Sequence, residues 1–204
     1  MNETQEAGTR RLRAEDLYSL EQYARARPEF RARVMAHKKH RQVAIGPNAT
    51  ITFEDRTTMQ YQIQEMLRIE RIFEPEGIAD ELETYNALIP DGRNWKATLM
   101  LEYADPDERR VALARLKGLQ DRIWVRVSGF DPVYAIANED LERENETKTA
   151  SVHFLRFELT LDMVRAVKAG ADIGVGIEHA QYTHAVQALE RATRDSLAED
   201  LEDA

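Results

Sequence analysis

The sequence predicts an α+β fold in which N-terminal helices pack on a mainly antiparallel sheet with two strand–helix–strand units. In the first part of the chain, apolar residues recur at the three- and four-residue spacing of amphipathic helices. From residue 95 onward they alternate as in half-buried strands, and the order strand, helix, strand occurs twice. With 204 residues, of which 43% are hydrophobic, the chain is long enough for one domain with a sizeable core.

The N-terminal segment has two predicted parts. Residues 1–13 are polar and are expected to be disordered, so that the single α+β domain comprises residues 14–204. Residues 15–26 are predicted to form a helix. Pro28 is expected to begin a second helix, because proline suits the first helical position.

A hairpin and two helices are predicted to follow. The hairpin covers residues 42–55, since β-branched residues flank the turn Gly46-Pro47-Asn48. The helices cover residues 57–73 and 75–88, and the turn at residues 89–92 ends the second one.

The second half of the chain is predicted to contain five strands and three helices. The strands are expected at residues 95–103, 123–127, 133–137, 151–159 and 173–177. The helices are expected at residues 105–116, with Asp105 as N-cap, at residues 160–170, with Thr160 as N-cap, and at residues 181–201. Gly174 and Gly176 share one face of their strand, which predicts close packing against a helix.

Composition excludes several classes of function. The net charge of −9 argues against a general nucleic-acid binder, and no apolar run is long enough to span a membrane. The first residues lack the apolar core of a secretory signal, and a cytoplasmic location is therefore expected. Because the chain has no cysteine, disulfides, thiolate nucleophiles and iron–sulfur ligation by this chain are excluded.

Positive charge is concentrated in residues 25–41, which contain seven Lys or Arg and one Glu. One interpretation is a surface that docks an acidic partner. The residues predicted to form it are Arg31, Lys38, Lys39 and Arg41. The alternative is a solvated helix face that the acidic C-terminal segment neutralises within the chain.

Glu70 is the most unusual residue of the predicted helix at 57–73. It lies four residues after Met66 and three before Phe73, within the apolar stripe, and is therefore expected to face the core. A buried carboxylate must be paired, protonated or bound to a metal. One hypothesis is a buried ion-pair network in which Arg68, Arg71 or Arg156 neutralises Glu70.

The other hypothesis is a non-haem site. Iron or manganese is bound by oxygen and imidazole ligands, which this chain has in place of thiolates. The candidate metal ligands are His37, Glu54, Glu65, Glu70 and His153. A further candidate carboxylate is Glu102, but the chain lacks the Glu-x-x-His pair of di-iron helical bundles.

Four stretches resemble the bacterial family catalogued as domain of unknown function 3501. They are RPEFRARVMAHKKHR (27–41), FEDRTTMQYQIQEMLRIERIFE (53–74), LIPDGRNWKATLMLEY (88–103) and ETKTASVHFLRFEL (146–159). The likeness extends from about Leu12 to about His179. The resemblance implies no activity, but it implies genes located near those of rubrerythrin-like and iron–sulfur redox proteins, which are therefore the expected partners.

Two hypotheses for the function follow. The first is an accessory or partner-binding protein of a bacterial redox system, which docks through its basic segment. The second is a non-haem metal-dependent oxidoreductase with a Glu/His site.

Overall fold

The computed structural model describes residues 10–139 and 147–202. The chain divides into two compact units, and each unit is built from two separate stretches. The helical unit comprises Met1–His40 and Glu54–Asp91, and the sheet unit comprises Arg41–Phe53 and Gly92–Ala204. Of the residues expected to be disordered, 1–9 lie outside the described residues.

The helical unit contains three α-helices, preceded by a 3-10 turn. They are α1 (Leu20–Lys38), α2 (Arg56–Glu70) and α3 (Pro75–Asn86). The prediction that a second helix begins at Pro28 was wrong, because α1 continues through this residue. The helix begins instead at Leu20, and its N-cap is Ser19, whose side chain accepts a hydrogen bond from the Gln22 amide. Tyr23, Phe30 and Val34 are buried on both sides of the proline, and their packing offsets the missing backbone hydrogen bond.

Three side-chain amides hold the segment that precedes α1. Gln64 is fully buried and bonds both backbone groups of Tyr18, with distances of 2.6 Å to the amide nitrogen and 3.3 Å to the carbonyl oxygen. Asn86 contacts Leu12 in the same two-way manner, and Gln60 donates to the Asp16 carbonyl. Leu12 itself is buried against the apolar side of α2 and α3, so ordered packing extends further toward the N-terminus than the sequence predicted.

The sheet unit contains nine strands, three α-helices and one 3-10 turn (Leu119–Arg122) within the described residues. The helices are α4 (Pro106–Arg115), α5 (Leu161–Lys168) and α6 (Arg191–Glu199). The strands are β1 (Gln42–Ala44), β2 (Ala49–Glu54), β3 (Asn94–Leu101), β4 (Ile123–Val127), β5 (Val133–Tyr134), β6 (Ile136–Ala137), β7 (Val152–Glu158), β8 (Ile173–His179) and β9 (Tyr182–Val186). One sheet has the order β1-β2-β3-β7-β6, and the other has the order β5-β4-β8-β9.

The two predicted strand–helix–strand units are present. The first runs through β3, α4 and β4, and the second through β7, α5 and β8. In each strand–helix–strand unit the first strand joins the five-stranded sheet and the second strand joins the four-stranded sheet. Corresponding strands pair antiparallel, with Ala97 opposite Leu155 and Val125 opposite Val175. The α+β prediction is therefore confirmed.

Two predictions for this unit were wrong in detail. The strand expected at residues 133–137 is divided into β5 and β6, which belong to different sheets. The helix expected at 181–201 is instead the strand β9 followed by α6. Gly176 packs against an aromatic ring and not against a helix: a Cβ there would lie 2.4 Å from the Trp124 ring.

No helix in the described residues has the length and apolar character needed to cross a membrane.

Candidate functional site

Residues 25–39, in α1 and at its C-cap, carry a group of cations that no acidic side chain of the described residues neutralises. We call it the basic surface, and it consists of Arg25, Arg31, Arg33, Lys38 and Lys39. Lys38 is half-buried and the other four are exposed. In the described residues none of the five forms an ion pair, and Glu29 is the one acidic side chain between Arg25 and Lys39.

Helix geometry explains why these cations face solvent. α1 buries Tyr23, Phe30 and Val34, which lie on one side at 3.6 residues per turn. Arg25 and Lys39 fall on the opposite side. Arg33 lies beside the buried side, where its guanidinium stands 5.0 Å from the centre of the Phe30 ring, and this contact keeps its charge at the surface.

Arg41 was predicted to belong to the docking surface, but it is buried and does not belong to the basic surface. Its side chain is 1% exposed and lies in the sheet unit. It donates to the Phe53 carbonyl at 2.9 Å, to the Ser196 hydroxyl at 3.0 Å and to the Asp200 carboxylate at 2.5 Å. Because these contacts bury the guanidinium, Arg41 cannot reach a docking partner.

Glu70 also departs from the prediction, since its side chain is exposed and does not face the core. It is the last residue of α2, and Arg71 in the left-handed conformation (φ 55°) ends the helix there. The buried apolar contacts of α2 end one turn earlier at Leu67, and Phe73 beyond the helix is 67% exposed. The apolar stripe of the predicted helix extended to Phe73, but α2 ends at Glu70 and its buried face ends at Leu67.

Glu65 is the carboxylate of α2 that has close cationic partners. Arg27 of α1 donates to both of its oxygens, at 2.7 and 2.9 Å, and Tyr23 donates at 2.7 Å. Arg68 adds a further contact at 3.2 Å. These donors, Arg27 first, outweigh the opposing effect of burial and lower the pKa of Glu65 to about 2. Burial raises the pKa of the Tyr23 hydroxyl above its ordinary value, and the bond to Glu65 adds to this shift.

His37 and Glu54 lie near the junction of β2 and α2. The His37 Nε2 atom stands 2.5 Å from the Asp55 Oδ2 atom, while the other oxygen of Asp55 accepts from the Thr58 amide and caps α2. Glu54 is 5% exposed at the end of β2. Asp55 was not among the predicted site residues, although its position immediately before a helix is typical of an N-cap.

His153 is fully buried in β7 of the sheet unit. The Asn138 side chain accepts from the Phe154 amide through Oδ1, so its nitrogen faces the His153 Nδ1 atom at 3.0 Å. Nδ1 is therefore the acceptor and Nε2 carries the proton, which it shares with the Ala150 carbonyl and the Thr149 hydroxyl at 3.0 Å each. This arrangement is a satisfied internal hydrogen-bond network.

The five predicted metal ligands are divided among several environments, with only His37 and Glu54 near the same junction of β2 and α2. His37 contacts Asp55, Glu65 contacts Arg27 and Tyr23, and His153 contacts Asn138. In the part of the chain that the structure describes, no group of three or more His, Cys, Asp or Glu side chains is placed to hold a metal ion. Metal binding by these residues stays a prediction.

Comparisons with known proteins place the chain in a family. The model of the family described as "Protein of unknown function (DUF3501)" matches residues 11–201. Among solved structures, the chain is similar to a crystal structure, at 1.90 Å resolution, of a novel protein of unknown function from Burkholderia pseudomallei K96243. The two share 50% sequence identity with a TM-score of 0.89, and the match covers 94% of this chain and 99% of the other. No curated protein matches the chain. The protein therefore belongs to the DUF3501 family.

Proposed function

We propose that this protein is an accessory protein that docks an acidic partner through the basic surface of α1. The observation that carries the proposal is the local excess of cations. The chain as a whole has a net charge of −9, yet five cations of residues 25–39, in α1 and at its C-cap, have no ion-pair partner in the described residues. A surface of opposite sign to the whole molecule favours one orientation of an approaching acidic protein.

The expected interaction is governed by electrostatics. Exposed charges act over about 8 Å at physiological ionic strength, so the basic surface mainly accelerates encounter with an acidic protein. The gene neighbourhood implied by the family resemblance favours a rubrerythrin-like or an iron–sulfur redox protein as this partner. Such a partner places the protein in a cytoplasmic redox system.

The test is to measure association with the rubrerythrin-like and iron–sulfur proteins encoded beside the gene. Surface plasmon resonance at low and high salt gives the association rate for the wild type and for the double variant K38E/K39E. We expect the wild-type rate to fall steeply with salt, and the variant to associate roughly tenfold more slowly at low salt, with little change in folding stability.

A matched control changes the same amount of charge elsewhere. The variant R110E/R165E reverses two exposed arginines on α4 and α5, whose i,i+3 ion pairs are worth little. It should associate almost like the wild type. Equal slowing in both variants would show a net-charge effect only. Binding that is insensitive to salt and to both variants would show that the basic surface is not the docking site.

A further inference from the structure

A second surface lies at the C-terminal end of α2, where two large apolar side chains face solvent. Ile69 is 58% exposed and Phe73 is 67% exposed, the highest values among the large hydrophobic side chains of the described residues. Ile72 between them packs inward against the helical core. Polar residues at both exposed positions would leave that core intact, so core packing does not explain this apolar pair. An exposed apolar pair is a candidate for contact with another protein surface.

Charges of opposite sign flank the apolar pair. Successive residues of a helix are about 100° apart, so Arg68 and Glu70 lie on opposite sides of Ile69. On the side of Arg68, two guanidinium groups share one carboxylate, because both Arg68 and Arg27 bind Glu65. That side therefore has a net positive charge.

The side of Glu70 is negative. Glu81 of α3 lies within electrostatic reach of Glu70 and of Asp80, and its pKa is raised by burial and by these two carboxylates. Glu70 and Asp80 are exposed. Among the described residues neither Glu70 nor Asp80 forms an ion pair, so this side keeps its negative charge.

We infer that a second copy of this chain covers Ile69 and Phe73 in a two-fold dimer, with the Arg68 side of one protomer against the Glu70 side of the other. A two-fold axis in the interface, perpendicular to the line from the Arg68 side to the Glu70 side, brings the same patch of both copies together and reverses the order of the charges. The positive side of each copy then meets the negative side of its partner. A partner of one sign would be attracted to one side of the patch and repelled by the other.

The dimer is expected to be weak. Two apolar side chains supply only a small part of the roughly 800 Å² per partner that a stable interface buries, so the charged sides must contribute the remainder. Its population should depend on protein concentration and should fall with salt. These properties distinguish it from an obligate dimer with a large apolar interface.

The first experiment measures the mass of the full chain in solution. Sedimentation velocity or light scattering over a concentration series should show the wild type shifting from 23.5 kDa toward twice that mass. The variant I69D/F73D should stay monomeric at every concentration. V111D is the control, because Val111 of α4 is exposed to 42% but lies in the other unit, and it should dimerise like the wild type.

The second experiment tests the charge arrangement. R68E and E70K should each weaken the dimer by about tenfold or more, because like charges then face each other across the axis. An equal mixture of the two variants should restore it. In a mixed dimer the two substituted side chains have opposite charges and face each other, and the native Arg68 of the E70K copy meets the native Glu70 of the R68E copy. Circular dichroism of each variant confirms that the fold is retained.

Three outcomes overturn the inference. They are a wild type that is monomeric at all concentrations, a dimer that survives I69D/F73D, and a mixture of R68E and E70K that remains monomeric. The first would leave the patch to a different protein. Each outcome is independent of the docking of an acidic partner, which uses Lys38 and Lys39.

Discussion

At the scale of single residues, Glu65 is the group whose protonation should affect stability most clearly. Its carboxylate accepts hydrogen bonds from Arg27, Tyr23 and Arg68, and its side chain is 13% exposed. The folded protein holds its pKa at about 2, against an ordinary value of 4.5. A depressed pKa means that the ionised form stabilises the fold above pH 4.5, and that this stabilisation is lost as the pH falls from 4.5 toward 2.

The first prediction concerns E65Q. At pH 7 the variant should unfold with a free energy lower than that of the wild type by about 1–3 kcal/mol, because Arg27 and Arg68 lose their counter-charge in a partly exposed site. As the pH falls from 4.5 toward 2, the wild type should lose this advantage, whereas E65Q has no carboxylate to protonate. Urea denaturation followed by circular dichroism at several pH values measures both effects.

E76Q is the matched control for this prediction. Glu76 is an exposed carboxylate in the first turn of α3, so its removal should leave the pH dependence of the wild type unchanged. If E65Q and the wild type lost stability in parallel as the pH falls, Glu65 would not be the titrating group.

Arg41 and Glu70 show two facts about single residues that the sequence does not indicate: a distant partner and the end of a helix. Arg41 follows Lys38, Lys39 and His40, so its charge resembles theirs in the sequence, yet it is the first residue of the sheet unit and is buried on Asp200. Its partner lies 159 positions away, and no local pattern reports such a contact. Glu70 fits the helical period, but the period does not report where α2 ends.

At the scale of elements, the segment before α1 depends on side-chain amides. Gln64 of α2 occupies a fully buried position and satisfies both backbone groups of Tyr18. These two hydrogen bonds are needed because leaving a buried amide unpaired costs about 1–3 kcal/mol. The contact therefore fixes the path of residues 12–18 across the helical unit.

The second prediction concerns Q64M. Methionine keeps the length of the side chain but leaves the Tyr18 amide without its acceptor, so hydrogen exchange at Tyr18 should become faster and the unfolding free energy should fall by about 1–3 kcal/mol. The control is Q60M, which removes a bond to the Asp16 carbonyl and leaves the Tyr18 contact intact. An unchanged exchange rate at Tyr18 in Q64M would contradict the role of this amide.

Elements were predictable where their signals are local. Asp105 and Thr160 cap α4 and α5 as expected, since capping requires only neighbouring residues. The hairpin of β1 and β2 was also predicted, and Val43 pairs with Ile51. Pro28 was misleading because tertiary packing of α1 overrides the local preference of proline.

At the scale of the whole molecule, the fold class followed from patterns that span many residues, whereas the function did not. Alternation and helical periodicity identify which face of an element is buried, and this was enough to predict two strand–helix–strand units. A site depends on which faces meet. His153 illustrates the difference: its strand was predicted, but its partners Asn138 and Thr149 come from segments that carry no periodic signal.

The C-terminal helix α6 is part of the core of the sheet unit, and its partners in that core are distant in the sequence. Leu197 of α6 is fully buried, and Leu201, two residues beyond the end of the helix, is 2% exposed. The Leu197 carbonyl accepts from the Trp95 indole at 3.0 Å, and Ser196 and Asp200 bind the buried Arg41. The sheet unit therefore depends on chain positions that are far apart in the sequence.

The third prediction is that a chain ending at Glu190 does not fold. The truncation removes two buried leucines, at about 2–5 kcal/mol each, and the Asp200 carboxylate that forms an ion pair with Arg41, at about 3–5 kcal/mol. The sum is comparable with the whole stability of a typical domain, about 5–15 kcal/mol. Soluble yield, circular dichroism and the thermal transition measure the outcome.

L197A is the milder test and should lower the unfolding free energy by about 2–5 kcal/mol, while a chain ending at Glu202 should behave like the wild type. A chain ending at Glu190 that retained a cooperative thermal transition would show that α6 is an accessory to the sheet unit and not a part of its core.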